Sequence, residues 1–552
     1  MKHLASFACA VALVLSACSP SSGPQVGGQT NWLLACDSSD ECGGLECVCG
    51  ACNARCESAL ACAEFPDASC VAASDEGAIA HCGGQTPPSG LCLPSCEATC
   101  PEGTSCVAGI CATADDPAVP VTIDATVRHQ TLVGFGASLA YGENAIVAHP
   151  DKAALYNLLF EESGLDVLRL GNRYEDGSAE ELPPPREIIA AASDRLGRRP
   201  LLFMTSGSPP AALKANANRF CAGNSETCTL VSLPGGGFDY EGFADHWRAS
   251  LEAYAREGIL PDYVSIQNNP NWLPPSDNPN EACHFLPEEG TQLVTIDGAQ
   301  VEIRYPGYRE ALAAVQGAIA DLAVVPRFGA PEANQLGAVN EYVSALDTSA
   351  FDALAIHFYY LDVAAVDDST FMPVRELAAQ IERPVFQTEM QADGMETAIL
   401  IHHALTAAGA SAYLQNDLVA LTPQAAPISL VLLTANGFEP QGPYYALSQY
   451  AKNTDPGFIR VDATSGSTEL LSSAWLSPEE RALSVVLVNA GSEDLDAEII
   501  LPGELRLRFA RSEVTRTVFD GSERAAALGD LPASGIVHIP SRSILTVALA
   551  TE

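Results

Sequence analysis

Between residues 132 and 415, short apolar runs alternate along the chain with longer helical patterns. The apolar runs predict eight strands, at residues 132–138, 166–171, 200–205, 263–268, 325–329, 351–358, 384–388 and 410–415. Helical patterns such as residues 152–160, 240–257, 308–323 and 395–408 lie between most of them. Strands that alternate with helices are typical of a parallel α/β fold. Eight strands in about 300 residues predict a (β/α)8 TIM barrel over residues 121–450, with functional side chains at the C-terminal ends of the strands.

After residue 450 the helical patterns give way to short segments in which apolar and polar residues alternate. These segments are residues 457–463, 470–476, 482–489, 497–501, 512–519, 535–539 and 543–548. Their spacing, with turn residues between them, predicts a C-terminal β-sandwich over residues 451–552 that is fused to the barrel. The strand-like segment 121–127 lies outside the eight barrel strands, and we expect it to join the sandwich.

The first 18 residues predict a bacterial lipoprotein signal peptide. Lys2 and His3 precede an apolar stretch, residues 4–15, that is too short to span a bilayer and suits a signal-peptide core. The sequence Leu-Ser-Ala-Cys that follows resembles a lipobox, so we expect Cys18 to carry the lipid. Residues 19–31, rich in Ser, Gly, Pro and Gln, predict a flexible tether. We expect an exported protein anchored at the bacterial outer membrane or cell surface, with ordinary secretion as the alternative.

Fourteen of the 19 cysteines lie between Cys36 and Cys111. An even number at close spacing in an exported chain predicts a small disulfide-rich module over residues 32–114. The competing interpretation is a zinc module, since Cys49 and Cys52 have the spacing of metal ligands. Three cysteines follow the module, namely Cys221, Cys228 and Cys283. We expect the first two to pair, and the third to be buried or to line a cleft.

The net charge of −41 comes from 28 Lys and Arg against 69 Asp and Glu. It argues against a nucleic-acid partner, which needs clustered cations, and makes a polyanionic glycan a poor candidate for a ligand. The sequence contains no phosphate-cradling glycine loop and no His-Glu-x-x-His motif, so we expect no cofactor and no metal. We expect contact with a membrane only through the lipid anchor, and the sequence specifies no oligomeric state.

Polar residues follow several predicted strands at their C-terminal ends, among them Asn268, Glu332, His357, Glu389 and Gln415. The segment 265–272, Ser-Ile-Gln-Asn-Asn-Pro-Asn-Trp, ends the fourth strand, and Gln-Thr-Glu-Met at 387–390 ends the seventh. A retaining glycosidase needs two carboxyl groups across the scissile bond, one as nucleophile and one as acid/base. Glu389 suits the first role. The fourth strand offers an amide in place of the second carboxyl group.

Several motifs together resemble those of glycoside hydrolase family 30, a clan A family in which a barrel is fused to a small β-sandwich. They are residues 134–138, residues 208–210 with Lys214, residues 265–272, residues 281–289, His357 with Tyr359, and residues 444–457. Each motif is weak alone, but their number and order make the match more specific. The resemblance covers residues 121 to the C-terminus and does not extend to the cysteine-rich module.

The resemblance assigns Glu389 as the nucleophile and places Asn269 at the position of the acid/base glutamate. It assigns substrate binding to Asn268, His357, Tyr359, Trp272 and Glu332. An amide has no dissociable proton, so Asn269 can neither protonate a leaving oxygen nor activate a water. Aromatic residues that would stack on sugars are missing as well, with Gly207 and Ala212 in the third-strand motif and Gln415 closing the eighth strand. A different carboxylate could replace the missing acid, and the candidates are Glu143, Glu332, Asp277 and Glu281.

The leading hypothesis is an exported glycoside hydrolase of retaining ancestry that acts on a β-linked polysaccharide or glycoside, as xylanases, glucanases and glucosylceramidases of the family do. The alternative is a catalytically inactive glycan-binding protein on the same fold, which would bind sugar without turnover. A third interpretation assigns the function to the cysteine-rich module, with the barrel as a platform that displays it.

Overall fold

A computed structural model describes residues 32–33, 36, 38–65, 68–82, 85–95, 105–107, 110–112, 118–175, 183–223, 226–296, 298–506 and 508–551. The chain divides into two compact units, Met1–Pro117 and Ala118–Glu552. The expected signal peptide, Cys18 and residues 19–31 lie outside the described residues. In the part of the chain that the structure describes, no helix combines the length and apolarity needed to cross a bilayer.

Short strands and disulfides build the first unit. Glu46–Val48 pairs with Ala51–Asn53, Gly90–Pro94 lies between Arg55–Cys56 and Ala68–Val71, and Ser105–Val107 pairs with Ile110–Ala112. The described disulfides are Cys36–Cys47, Cys42–Cys52, Cys49–Cys82, Cys56–Cys70 and Cys62–Cys92. They confirm the predicted disulfide-rich module. Both cysteines of the possible zinc motif, Cys49 and Cys52, are bonded to other cysteines, so the zinc interpretation is wrong for this pair. In a unit with so small a core, each bridge contributes about 2–4 kcal/mol.

Eight parallel strands close into the predicted barrel in the second unit. They are β1 (Gly134–Ser138), β2 (Val167–Gly171), β3 (Leu201–Thr205), β4 (Tyr263–Ser265), β5 (Arg327–Ala333), β6 (Ala353–His357), β7 (Val385–Met390) and β8 (Ala410–Gln415). Each strand pairs with its neighbours in sequence, and β8 closes the ring on β1. Val167, Phe203, Phe386 and Leu414 pack together inside the ring. Because side chains alternate along a strand, the second residue after each of these also faces inward, nearer the C-terminal rim.

Helices surround the strands. They are α1 (Glu143–Ala148), α2 (Lys152–Tyr156), α3 (Pro183–Leu196), α4 (Tyr240–Arg256), α5 (Tyr308–Ile319), α6 (Leu336–Ala345), α7 (Asp368–Ile381), α8 (Gly394–Thr406) and α9 (Gly442–Ala451), and a π-helical segment, Asn157–Glu162, continues α2. Aspartates cap three of them, with the side chains of Asp239, Asp367 and Asp393 accepting from backbone N–H groups in the first turns of α4, α7 and α8. The helices bury one continuous apolar layer against the outside of the barrel.

The predicted β-sandwich is one sheet of nine strands that encloses its own apolar core. Its strands are Val119–Thr131 and, after the barrel, β9 (Ile459–Ser465), β10 (Leu470–Leu476), β11 (Ala482–Asn489), β12 (Leu495–Ile500), β13 (Arg511–Val518), β14 (Glu523–Gly529), β15 (Ile536–Ile539) and β16 (Ser543–Ala550). The strand Val119–Thr131 lies between β9 and β12, where we expected residues 121–127 to join. Helix α9 links the sheet to the barrel, since Gln449 hydrogen-bonds Thr515 and Thr517.

The structure differs from the predicted elements at several points. Strand β4 ends at Ser265 rather than at residue 268, because the chain leaves the barrel ladder before Asn269, whose backbone is left-handed with φ of 46°. Strand β5 begins at Arg327 rather than at residue 325, and Val324 and Val325 are exposed. The sequence pattern also missed β14, an alanine-rich edge strand that is mostly exposed and pairs on one side only.

Candidate active site

A cleft of about 380 Å³ opens at the C-terminal ends of the barrel strands. Residues from β7, from the segment after β4 and from the loops after β1, β6 and β8 line it. Those on which the argument depends are Tyr141, Asn268, Asn269, Trp272, Glu281, Tyr359, Tyr360, Glu389 and Asp417. The predicted site residues Glu389, Asn269, Asn268, Tyr359 and Trp272 are therefore brought to one cleft. Glu332 and His357 lie beneath it.

Glu389 lies near the end of β7 and is 6% exposed. Its Oε2 accepts a hydrogen bond from Arg169 at 2.7 Å, and its Oε1 accepts one from the Tyr359 hydroxyl at 2.8 Å. Burial alone would raise the pKa of Glu389, but the charge of Arg169 and the hydrogen bond of Tyr359 outweigh it, so that the pKa lies below its usual value. The carboxylate is therefore ionised at neutral pH, as a nucleophile must be.

Arg169 organises the floor of the cleft. It lies on β2 two residues after the inward-facing Val167, and its guanidinium is 2% exposed. Besides Glu389, it donates to Asn268 Oδ1 at 2.8 Å and to Glu332 Oε1 at 3.1 Å. Our sequence reasoning missed this residue. The signal was present, since an arginine inside an apolar strand is rarely buried without a partner.

Glu332 is fully buried below the cleft, so the structure does not place it where a sugar could touch it. Thr205 Oγ1 donates to it at 2.6 Å. Burial would raise its pKa, but Arg169 and His357 together lower it well below the usual value. Glu332 is thus an ionised partner of Arg169 and carries no proton to donate, which also removes it as a replacement acid. Its φ of 56° is costly for a residue with a Cβ, so backbone strain is stored directly beneath the site.

Asn269 is held at both ends of its amide. Its Nδ2 faces Glu389 Oε1 at 3.4 Å, and its Oδ1 lies 2.8 Å from His357 Nδ1. A carboxylate only accepts, so the NH2 group must face Glu389 and the oxygen must face His357. His357 Nδ1 therefore donates, and its Nε2 faces Thr388 Oγ1 at 2.9 Å. Asparagine also tolerates the left-handed backbone at this position better than glutamate would.

Glu281 reaches the cleft from the loop after β4, where it is held by two arginines. Arg173 Nη1 lies 2.9 Å from one of its oxygens, and Arg219 Nε lies 3.3 Å from the same oxygen. A Cβ at Gly207 would lie 2.7 Å from Glu281 Oε2, so Glu281 fills the space in which a side chain at 207 would project. Of the other candidate acids from the sequence, Asp277 is exposed, and neither it nor Glu143 is among the residues that line the cleft.

Asp417 is a cleft carboxyl group that sequence reasoning did not consider. It follows β8 by two residues. Burial, and then the negative charge of Glu389, raise the pKa of Asp417 to about 7. The polar pair Asn416-Asp417 directly after a predicted strand end was the signal that could have revealed it.

The remaining cysteines lie where expected. Cys221 and Cys228 form a disulfide, and Trp272 packs against this bridge where it reaches the cleft. Cys283 is free and buried, and burial raises its pKa to about 12, so its thiol is unreactive.

Neither a protein-family model nor a curated protein sequence matches the chain. Solved structures match over 78% of it. The family 30 subfamily 8 xylanase Xyn30A from Clostridium acetobutylicum is 19% identical, with a TM-score of 0.58 and 100% of its own chain covered. The catalytic domain of the family 30 xylanase C from Talaromyces cellulolyticus is 16% identical, with a TM-score of 0.59 and 100% covered. The endo-β1,6-glucanase BT3312 is 13% identical, with a TM-score of 0.55 and 94% covered. This chain therefore shares the barrel and β-sheet fold of glycoside hydrolase family 30.

Proposed function

We propose that the protein is a retaining β-glycoside hydrolase with Glu389 as its nucleophile. The observation that carries this proposal is the position of Glu389 in the cleft, where Arg169 and Tyr359 donate hydrogen bonds to its carboxylate at a strand end of a family 30 fold. Two fixed donors orient the carboxylate, so little reorganisation is needed before it attacks an anomeric carbon.

The amide of Asn269 leaves the usual position of the acid/base without a proton. It donates a hydrogen bond toward Glu389 and supplies no proton to a departing oxygen. Loss of general acid catalysis typically costs about 10²- to 10⁴-fold in rate. Substrates whose leaving group needs little protonation should therefore be cleaved fastest.

The substrate that suits the cleft is a neutral β-linked glycan or glycoside. Among the described residues that line the cleft, none is a lysine or an arginine. Arg169 and Arg173, which line a small recess beside it, are paired with carboxylates. A uronate or sulfate would therefore meet Glu389 and Asp417 without a cation to balance its charge. The cleft also presents the rings of Trp272, Tyr359 and Tyr360, and aromatic rings suit the apolar faces of sugars.

The residue at position 269 also supports a second candidate function. A protein that binds glycan without cleaving it would retain the same cleft, and the amide at 269 is what such a protein would carry. This candidate predicts saturable sugar binding with no turnover, in the wild type and in Glu389→Gln alike.

We further propose that the protein acts outside the cytoplasm. Support comes from the signal-peptide pattern, from Cys18 in a lipobox-like sequence and from the disulfides of the first unit, which persist in oxidising compartments. Metabolic labelling with a clickable fatty acid should mark the wild type and leave Cys18→Ala unmarked. Absence of label in both would indicate ordinary secretion.

Burst kinetics with 2,4-dinitrophenyl β-xyloside and β-glucoside test the enzymatic proposal, with wild type compared with Glu389→Gln and Asn269→Glu. A burst in the wild type that is lost in Glu389→Gln would establish a working nucleophile. Faster turnover of phenyl glycosides by Asn269→Glu would show that position 269 lacks its acid. No burst in the wild type, and none restored by glutamate at 269, would leave the glycan-binding function.

A further inference from the structure

Asp417 lies in the wall of the cleft, where backbone hydrogen bonds fix both its own peptide group and that of the next residue. Its own carbonyl oxygen accepts from Leu430 N at 3.0 Å, and the next residue, Leu418, donates to Ser138 O at 2.9 Å. The backbone that carries the carboxyl group is therefore tied to the first barrel strand and to the loop after β8. A side chain on such a support is oriented before a substrate arrives.

The carboxyl groups of this cleft differ in what they contact. Glu389 is bound by Arg169 and Tyr359, and Glu281 by Arg173 and Arg219. Among the described residues, by contrast, no hydrogen-bond partner reaches the buried Oδ1 of Asp417. A buried polar atom without a partner is costly, and in a cleft it is free to bond a ligand that enters.

Burial, and then the charges that face Asp417, favour its protonated form. Glu389 and Glu143 are negative and raise its pKa, and Arg169, which lowers it, is already shared between two carboxylates. The Tyr141 hydroxyl is also within electrostatic range and adds no charge, because a tyrosine is neutral at pH 7. With a pKa of about 7, Asp417 holds a proton on about half of the molecules at neutral pH, and on most of them below it.

We propose that Asp417 is the proton-carrying catalytic residue of this cleft and supplies the function that Asn269 cannot. The inference rests on the proposed hydrolase activity. In the first step Glu389 forms a bond to the anomeric carbon, the bond from that carbon to the leaving oxygen breaks, and the Asp417 proton passes to this oxygen. In the second step water attacks the same carbon, Asp417 takes a proton from the water, and Glu389 departs as a carboxylate.

The coupling between the two carboxyl groups sets the order of these transfers. Burial raises the pKa of Asp417 most, and the charge of ionised Glu389 raises it further. Formation of the glycosyl ester removes that charge, so the pKa of Asp417 falls and it becomes a carboxylate able to act as a base. Hydrolysis of the ester restores the charge and the proton.

The kinetic test uses Asp417→Asn, which preserves shape and removes the proton, with Asp194→Asn as the control because Asp194 is 85% exposed on α3. We expect kcat/KM for phenyl β-glycosides to fall about 10²- to 10⁴-fold in Asp417→Asn. The variant should still show a burst with 2,4-dinitrophenyl glycosides, because their leaving group needs little protonation. Azide should restore its turnover, because azide attacks the glycosyl ester without a general base, and the product should be the β-glycosyl azide. The alkaline limb of the wild-type pH profile, near pH 7, should disappear.

An infrared titration tests the proton itself without any turnover. The protonated carboxyl band that titrates near pH 7 should have two components, one from Asp417 and one from Asp166, because burial also raises the pKa of Asp166 to about 7. The Asp166 component should remain in every variant, whereas the Asp417 component should be present in the wild type and in Asp194→Asn and absent from Asp417→Asn. In Glu389→Gln the midpoint of the Asp417 component should move to lower pH.

The outcomes separate this inference from the proposed function. If the wild type shows no turnover that depends on Glu389, the hydrolase proposal fails and the catalytic assignment of Asp417 fails with it. Alternatively, the wild type is active while kcat/KM of Asp417→Asn falls equally for phenyl and 2,4-dinitrophenyl glycosides, or while the pH profile of this variant keeps the alkaline limb. Either result overturns only the assignment of Asp417.

Discussion

Replacing Arg169 with methionine tests the account of the cleft floor, because this residue is the cation shared by two buried carboxylates. The methionine fills similar space and removes the charge. Arg169 Nη1 lies 2.7 Å from Glu389, and Nη2 lies 3.1 Å from Glu332. Removing it leaves two ionised groups side by side in a site that is almost closed to water.

The expected loss of folding free energy is large. Two hydrogen bonds between charged groups contribute about 1.5–3 kcal/mol each, and breaking one member of a buried ion pair typically costs about 3–5 kcal/mol. We therefore expect a loss of about 4 kcal/mol. With an unfolding entropy of about 2.1 cal/mol/K per residue over the Ala118–Glu552 unit, this corresponds to a fall in Tm of about 4 °C.

The loss should depend on pH in a defined direction. The pKa values of Glu332 and Glu389 both lie below their usual values in the folded wild type, so their contribution to stability is present above about pH 4 and lost as the pH falls. Scanning calorimetry should therefore show a wide gap in Tm between wild type and Arg169→Met at pH 7 and a narrower one at about pH 3, below the ordinary pKa of a glutamate. Arg186→Met is the matched control, because Arg186 pairs with Glu257 at the surface and should change stability by about 0–1 kcal/mol.

Two results would refute this reasoning. One is a Tm for Arg169→Met at pH 7 that lies within about 1 °C of the Tm of Arg186→Met, since the expected loss of stability corresponds to a larger fall. The other is a gap that does not narrow on acidification. Either would mean that the carboxylates below the cleft are not held ionised by this arginine.

Three further predictions concern single contacts. Tyr359→Phe removes a hydrogen bond that lowers the pKa of Glu389, so the acidic limb of the variant's kcat/KM profile should move to higher pH. An acidic limb at the wild-type pH would show that this hydrogen bond does not set the pKa of Glu389. Thr205→Val leaves Glu332 Oε2 without its donor, so the variant should be about 1–3 kcal/mol less stable by calorimetry, and no change would contradict the buried hydrogen bond. Native iodoacetamide labelling with mass mapping should leave Cys283 unmodified until denaturant is added, whereas rapid labelling would show that the thiol is accessible.

The barrel could be predicted from sequence because its signal is local and repeated. Each strand is a short apolar run, and helices with one apolar face separate most of the strands. The prediction was wrong where the local sequence pattern does not determine the strand boundary or the presence of a strand. Val324 and Val325 have strand propensity but lie outside β5, and β14 carries alanines that an exposed edge strand tolerates without an apolar face.

The site could be predicted only in part. Strand ends located Glu389 and Asn269, because parallel strands bring their C-terminal residues to one rim. The pairing of Glu281 with Arg173 joins loops that are 108 residues apart, and no local pattern encodes it. The ionised state of Glu332 and the raised pKa of Asp417 depend on burial and on where the charges of Arg169 and Glu389 lie in three dimensions.

Trapping of the covalent intermediate tests the central claim, that Glu389 is a nucleophile, most directly. The wild type would be incubated with 2,4-dinitrophenyl 2-deoxy-2-fluoro-β-xyloside and β-glucoside, whose fluorine slows hydrolysis of the ester, and then mapped by peptide mass spectrometry. The account predicts one fluoroglycosyl group on the peptide that contains Glu389, and none in Glu389→Gln. An unlabelled wild type, or a label on another residue, would contradict it.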